Sequence, residues 1–146
     1  MIRKSSAVWK GNGLQGTGAL TMQSGVFKDQ PYSFNTRFQS EDGRAGTNPE
    51  ELIGAAHAGC YAMALSFALT DAGFVPTELR VTASVDLQKQ EGGFGITQIT
   101  LDLEAKVPGI DPAKFQALAE GAKKGCPVSK ALAGVPEITL EATLKA

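Results

Sequence analysis

The chain is poor in the residues that usually announce a function: two cysteines, one histidine and one tryptophan among 146 residues, and a formal net charge of only -1. Each scarcity excludes something. Two cysteines cannot build the multi-disulfide framework of a small secreted domain, and in a reducing cytosol a bond between them would be transient and catalytic. One histidine and two cysteines supply three side chains where structural zinc normally takes four. With 14 basic and 15 acidic side chains and no like-charge run, the chain offers little to nucleic acid or an anionic membrane. No apolar run is read as approaching the roughly 20 residues that span a bilayer. Basic residues open the chain, but no apolar segment follows them, which argues against a secretory signal. A cytoplasmic protein with a single domain over 1–146 is the expectation.

What is present begins with short strands and turns. Runs from Ala7 to Lys10 and from Gly18 to Gln23 are punctuated by glycines at 11, 13, 16 and 18, which favours a hairpin. Ser33 to Gln39 reads as a further strand, and Pro31 marks the segment before it as a loop or edge strand. From Pro49 to about Ala72 the pattern turns helical, with a stripe of Leu52, Ile53, Ala56, Cys60, Met63, Ala64 and Phe67. Asn48 suits the N-cap, Pro49 the first helical position and Glu51 the third residue of a capping box, while Gly73 suits the end. Alanine and glycine fill the interior, so another backbone can approach closely. Leu79 to Gln88 and Ile99 to Ala105 alternate and read as a long antiparallel hairpin. Asp111 and Pro112 open a second helix, Pro127 a short third one, and Ile138 to Leu144 a closing strand. Strands grouped around two main helices make an α+β fold. The first hairpin and the small-residue helix leave more surface than one chain would cover, so a homodimer is expected.

Chemistry points to the cysteines. A thiol reacts as its thiolate, so each site is judged by what could hold a negative charge. Cys126 stands before Pro127 at a helix start, where free backbone N–H groups favour an anion, with Lys123 and Lys124 nearby. Cys60 lies about three turns into its helix, beyond the reach of the helix dipole, and needs a cation from elsewhere. Arg37, between Phe34 and Phe38, could hold that thiolate and bind substrate oxygens, and Glu50, which capping does not explain, could orient Arg37 through a two-pronged carboxylate pair. His57, three residues before Cys60, is either a structural histidine or half of a Cys/His dyad.

The segments QPYSFNTRF at 30 to 38, GTNPEELIGAAHAGCYAMALS at 46 to 66, VPGID at 107 to 111 and KKGCPVSKAL at 123 to 132 resemble the OsmC/Ohr family of thiol-dependent hydroperoxide reductases, in its osmotically inducible OsmC branch. The resemblance covers essentially the whole chain. It implies an intertwined α+β homodimer with antiparallel sheets around two main helices and active sites at the subunit interface. It also implies an antioxidant stress-response peroxidase, with no metal, haem or flavin, that prefers organic hydroperoxides to hydrogen peroxide. By the same analogy Cys60 attacks the peroxide and becomes a sulfenic acid, and Cys126 resolves it as a disulfide. Arg37 holds the Cys60 thiolate and Glu50 orients Arg37, while a dithiol or a lipoylated protein reopens the disulfide. Tyr32, Phe34, Phe38, Met63 and Phe67 are candidates for an apolar substrate mouth.

Three rival functions fit less of the chain. A hydrolase using Cys60 and His57 lacks a third group to orient the histidine. A zinc protein would have only Cys60, Cys126 and His57 to offer, and a non-catalytic binding module would leave two cysteine motifs without a purpose.

Overall fold

A computed structural model describes all residues, 1–146. Two compact units emerge, Met1–Leu52 and Ile53–Ala146; the division falls in the first turn of the long helix. In the first unit, β1 (Ser5–Lys10), β2 (Thr17–Met22) and β3 (Gln30–Ser33) form an antiparallel sheet in that order. The glycine-marked hairpin is therefore β1–β2, and Pro31 sits on the edge strand β3, where its missing N–H costs least.

The reading of Ser33 to Gln39 as a strand is corrected. Only Gln30–Ser33 is extended, and Phe34–Phe38 is a one-turn helix, α1. Ser33 is its N-cap, accepting from the Thr36 N–H at 3.2 Å while the Ser33 N–H donates to the Thr36 hydroxyl at 3.0 Å. That reciprocal box satisfies two backbone donors and turns the chain helical, with Phe34 and Phe38 one turn apart.

The long helix α2 runs from Pro49 to Asp71. Asn48 caps it as expected, its side-chain oxygen accepting from the Glu51 N–H at 2.8 Å. The carboxylate of Glu51 does not close the box; it accepts from the Thr47 hydroxyl at 2.8 Å. At the other end the Phe74 N–H reaches back to the Leu69 carbonyl, and Gly73 supplies the φ of +89° that this reversal requires.

The buried face of α2 also departs from the expected stripe. Gly54, His57, Tyr61, Leu65 and Leu69 point inward, whereas Met63 and Phe67 stand 64 % and 66 % exposed. Because the helix is apolar nearly all round, periodicity alone could not decide which face the core would take. The same composition overturns the reading that no run is long enough to cross a membrane: these 23 residues are long and apolar enough, with a mean hydropathy of 1.5. Alanine and glycine raise that value without looking like a greasy run. Tyr61, Leu65 and Leu69 nevertheless pack into the core.

In the second unit β4 (Glu78–Gln90) and β5 (Gly93–Lys106) form the long antiparallel hairpin, turning at Glu91 and Gly92. Gly54 of α2 lies so close to β4 that a Cβ would meet the Ala83 carbonyl oxygen at 3.2 Å, which confirms that small residues admit a neighbouring backbone. The helix α3 (Pro112–Gly125) follows, capped by Asp111, whose carboxylate accepts from the Lys114 N–H at 3.0 Å. Its Phe115, Ala119 and Ala122 join Leu101, Leu103 and Ala105 of β5 in the core. Burial of Phe115 alone contributes about 1.5–3 kcal/mol. After α4 (Pro127–Ala131) the strand β6 (Glu137–Leu144) pairs parallel to β5, so the expectation of purely antiparallel sheets holds for one sheet and fails for the other. A parallel neighbour needs a long crossover, and residues 107 to 136, which carry α3 and α4, supply it.

Candidate active site

The topology brings the two cysteines together. Cys60 lies on α2 and Cys126 at the junction of α3 and α4, and their side chains are close enough to share a hydrogen bond. Both are free thiols, Cys126 fully buried and Cys60 partly exposed. Cys126 ends α3, its N–H donating to the Ala122 carbonyl at 2.8 Å, and is at once the N-cap of α4, with Pro127 fixing the next residue. The chain turns there because proline cannot continue the α3 ladder.

The electrostatics of the pair are unequal. Burial alone would raise the Cys126 thiol, but the Ser129 N–H, the Cys60 thiol, the Ser129 hydroxyl and the Val128 N–H all favour its thiolate, and its pKa falls below the ordinary thiol value. Cys60 moves the other way. Burial raises its pKa, the Val128 N–H opposes that rise, and the neighbouring Cys126 adds to it. Two adjacent thiols cannot both ionise cheaply, so the pair loses its protons in two steps that belong to it jointly, with Cys126 lowered and Cys60 raised. The sequence reading foresaw an anion at Cys126 but credited the helix dipole and two lysines. A five-residue α4 has little dipole and Lys123 is paired with Glu120 at 3.0 Å, so the lowering comes from the nearby polar groups of Val128, Ser129 and Cys60.

The other predicted pair forms in the first unit. Arg37, on α1, donates from Nη2 to Glu50 Oε1 at 2.7 Å and from Nε to the same carboxylate at 3.2 and 3.3 Å. Glu50, in the first turn of α2, is nearly buried, and its choice over Glu51 is explained by the latter's bond to Thr47. The guanidinium lies over the Phe38 ring at 4.9 Å, and Phe38 in turn meets Phe34 at 4.9 Å. With Nε and Nη2 committed to Glu50, Nη1 has no protein acceptor. Tyr32 tilts against Trp9 at 5.5 Å between ring centres.

His57 is the residue the sequence placed least well. It is fully buried, its Nε2 lies 2.7 Å from the Ser129 hydroxyl, and its Nδ1 has no partner. Burial lowers its pKa, which keeps it neutral. The Cys/His dyad is therefore not formed, since the neighbours of Cys60 are Cys126 and Val128. Nor does any group of three or more His, Cys, Asp and Glu side chains stand ready to hold a metal ion. Ser129 was missed altogether, although its position three residues after Cys126, one helical turn on, was a readable signal.

Comparison with known proteins identifies the family of the chain. The family model described as "OsmC-like protein" matches residues 40–141. Peroxiredoxin OsmC of Escherichia coli strain K12 is 52 % identical over 143 residues, covering 98 % of this chain and 96 % of that protein. The organic hydroperoxide resistance protein of Xanthomonas axonopodis pv. citri is 38 % identical over 99 residues, 67 % of this chain and 68 % of the relative. Among solved structures, the organic hydroperoxide resistance protein OhrB of Bacillus subtilis superposes with a TM-score of 0.68 at 28 % identity, over 97 % of this chain and 98 % of the other. A chain matched over more than two thirds of its length by that model, and more than half identical to an OsmC over nearly its whole length, belongs to the OsmC family.

Proposed function

We propose that this protein is a cysteine-based peroxidase that reduces organic hydroperoxides, and hydrogen peroxide more weakly. The observation that carries the reading is the meeting of Cys60 and Cys126, from helices separated by a long stretch of sequence, within hydrogen-bond reach. The relatives' names, a peroxiredoxin and organic hydroperoxide resistance proteins, support it. In the reaction the Cys60 thiolate attacks the distal peroxide oxygen, the O–O bond breaks, and the alkoxide leaves and is protonated to an alcohol. Cys60 is then a sulfenic acid. The Cys126 thiolate attacks the Cys60 sulfur and expels hydroxide, which becomes water, leaving a disulfide. A dithiol, free or carried on a lipoylated protein, returns two electrons by thiol–disulfide exchange.

Because the chain's own donors favour charge on Cys126, Cys60 needs an imported cation to become the attacking thiolate. Arg37 is that cation in this reading, with Glu50 setting its orientation. The hydrolase alternative loses its dyad to the His57–Ser129 bond. Turnover of cumene hydroperoxide against hydrogen peroxide, with dithiothreitol and then with a lipoylated protein, tests substrate class and reductant together. Preference for the organic peroxide is expected, and failure to consume either peroxide would remove the proposal.

The working unit in this reading is a homodimer. Every residue of β1 is exposed, and α2 turns Met63 and Phe67 outward on the side away from its buried face. A bare apolar stripe on a central helix marks a covered surface in the assembled protein. Sedimentation at micromolar concentration is expected to show a dimer whose separation removes activity. A monomer with full turnover would sink the interface argument.

A further inference from the structure

The buried imidazole of His57 has no place in the reaction above, yet it is held with care. His57 and Cys60 are three residues apart on α2; Ser129 and Cys126 are three residues apart across the start of α4. In each helix that spacing is about one turn, so the two pairs meet as two rungs: Cys60 with Cys126, and His57 with Ser129 at 2.7 Å. The Ser129 hydroxyl lies 2.7 Å from His57 Nε2 and stands one helical turn after Cys126, whose thiol pKa it helps to lower, and it has one proton to give.

Which way that proton points depends on the histidine. If the imidazole carried its proton on Nδ1, a fully buried N–H would be left without an acceptor, and Ser129 would have to donate to Nε2, away from the sulfur. With the proton on Nε2, only a lone pair at Nδ1 goes unpaired. Orphaned buried N–H groups are rarer in proteins than orphaned acceptors, which favours the second arrangement.

We propose that His57 and Ser129 are a positioning relay for the resolving cysteine: His57 donates from Nε2 to Ser129, so that the Ser129 hydroxyl donates to the Cys126 sulfur and holds it as the thiolate that attacks the Cys60 sulfenic acid. This rests on the peroxidase reading. The relay carries no net proton; the hydroxide expelled from Cys60 is neutralised by a proton from a buffer acid in the surrounding solution. Few other groups could imitate its pH signature. Tyr61 on α2, which donates to the Ala119 carbonyl, has its pKa pushed well up and stays protonated; Glu120 and Lys123 on α3 are paired with one another; Lys124 and Lys130, with Ser129, line a surface depression of about 340 Å³.

The test separates the two chemical steps. One equivalent of cumene hydroperoxide is mixed with reduced protein, and peroxide loss is followed apart from disulfide formation, the latter by trapping the remaining sulfenic acid. Ser129→Ala is expected to slow disulfide formation about tenfold near neutral pH and to move its pH midpoint upward by about one unit, because a lost donor raises the thiol pKa, while peroxide loss, with less negative charge beside Cys60, is not slowed. Ser129→Thr, which keeps the hydroxyl, restores both. Equal slowing of both steps in Ser129→Ala, or an unmoved midpoint with normal peroxide loss, overturns the relay alone. Absence of peroxide loss in the unaltered protein overturns the peroxidase reading itself. Independently of any variant, nitrogen NMR of the single histidine is expected to show the Nε2–H tautomer, and an Nδ1–H tautomer overturns the proposal.

Discussion

Replacing Cys60 with serine is expected to abolish peroxide reduction, whereas Cys126→Ser should still consume one equivalent of peroxide in a single burst and leave a sulfenic acid that can be trapped on Cys60. A serine hydroxyl stays protonated at neutral pH and cannot replace a thiolate as nucleophile. The Cys126 variant retains the attacking sulfur and loses only the group that closes the disulfide. The experiment is demanding because the acidity of the pair runs the other way in the chain itself: Cys126, faced by the N–H groups of Val128 and Ser129, is the stronger acid, and Cys60 is raised by burial. If acidity within the chain decided the roles, the burst would persist in Cys60→Ser and vanish in Cys126→Ser. That result would reverse the assignment.

Arg37→Met is expected to lower the second-order rate with peroxide by about two orders of magnitude or more, the scale of losing one transition-state charge stabiliser, and to raise the Cys60 thiol pKa. The motive is the grip of Glu50 on Nε and Nη2, which fixes the guanidinium plane and leaves Nη1 without a protein acceptor. Methionine keeps much of the side-chain length and removes the charge. Arg37→Lys should recover only part of the rate, because an ammonium cannot answer the Glu50 carboxylate through two parallel bonds. An unchanged titration of the Cys60 thiolate in Arg37→Met would remove Arg37 from the site and leave a lysine as the next candidate cation.

Local chemistry made much of this structure readable. Asn48 and Pro49 set the start of α2, Gly73 its end, and Asp111 with Pro112 the start of α3, because caps act through neighbours in sequence. The Arg37–Glu50 pair followed from asking which carboxylate capping left unexplained. What failed were features that depend on the rest of the fold. The helical α1 was read as a strand, although Ser33 and Thr36 carried the signal of its capping box and Phe34 and Phe38 stand one turn apart. The inward face of α2 could not be chosen from a helix apolar on all sides. The parallel pairing of β6 and the His57–Ser129 bond join residues far apart in sequence, which no window of local pattern spans.

The parallel pairing of β6 has a consequence for how the protein is born. Cys60 leaves the ribosome well before Cys126, and the segment that carries Cys126 is anchored by a strand made later still, one that must find its place beside β5. Contacts between distant parts of a chain form late, since the entropy of closing the intervening loop is lost before they reward it. A nascent chain thus passes through an interval in which the first thiol exists without its partner. Oxidation in that interval has no disulfide to stop at and can run on to irreversible sulfinic acid. Under the proposed reaction, the order of synthesis leaves the first thiol without its resolving partner until β6 has docked.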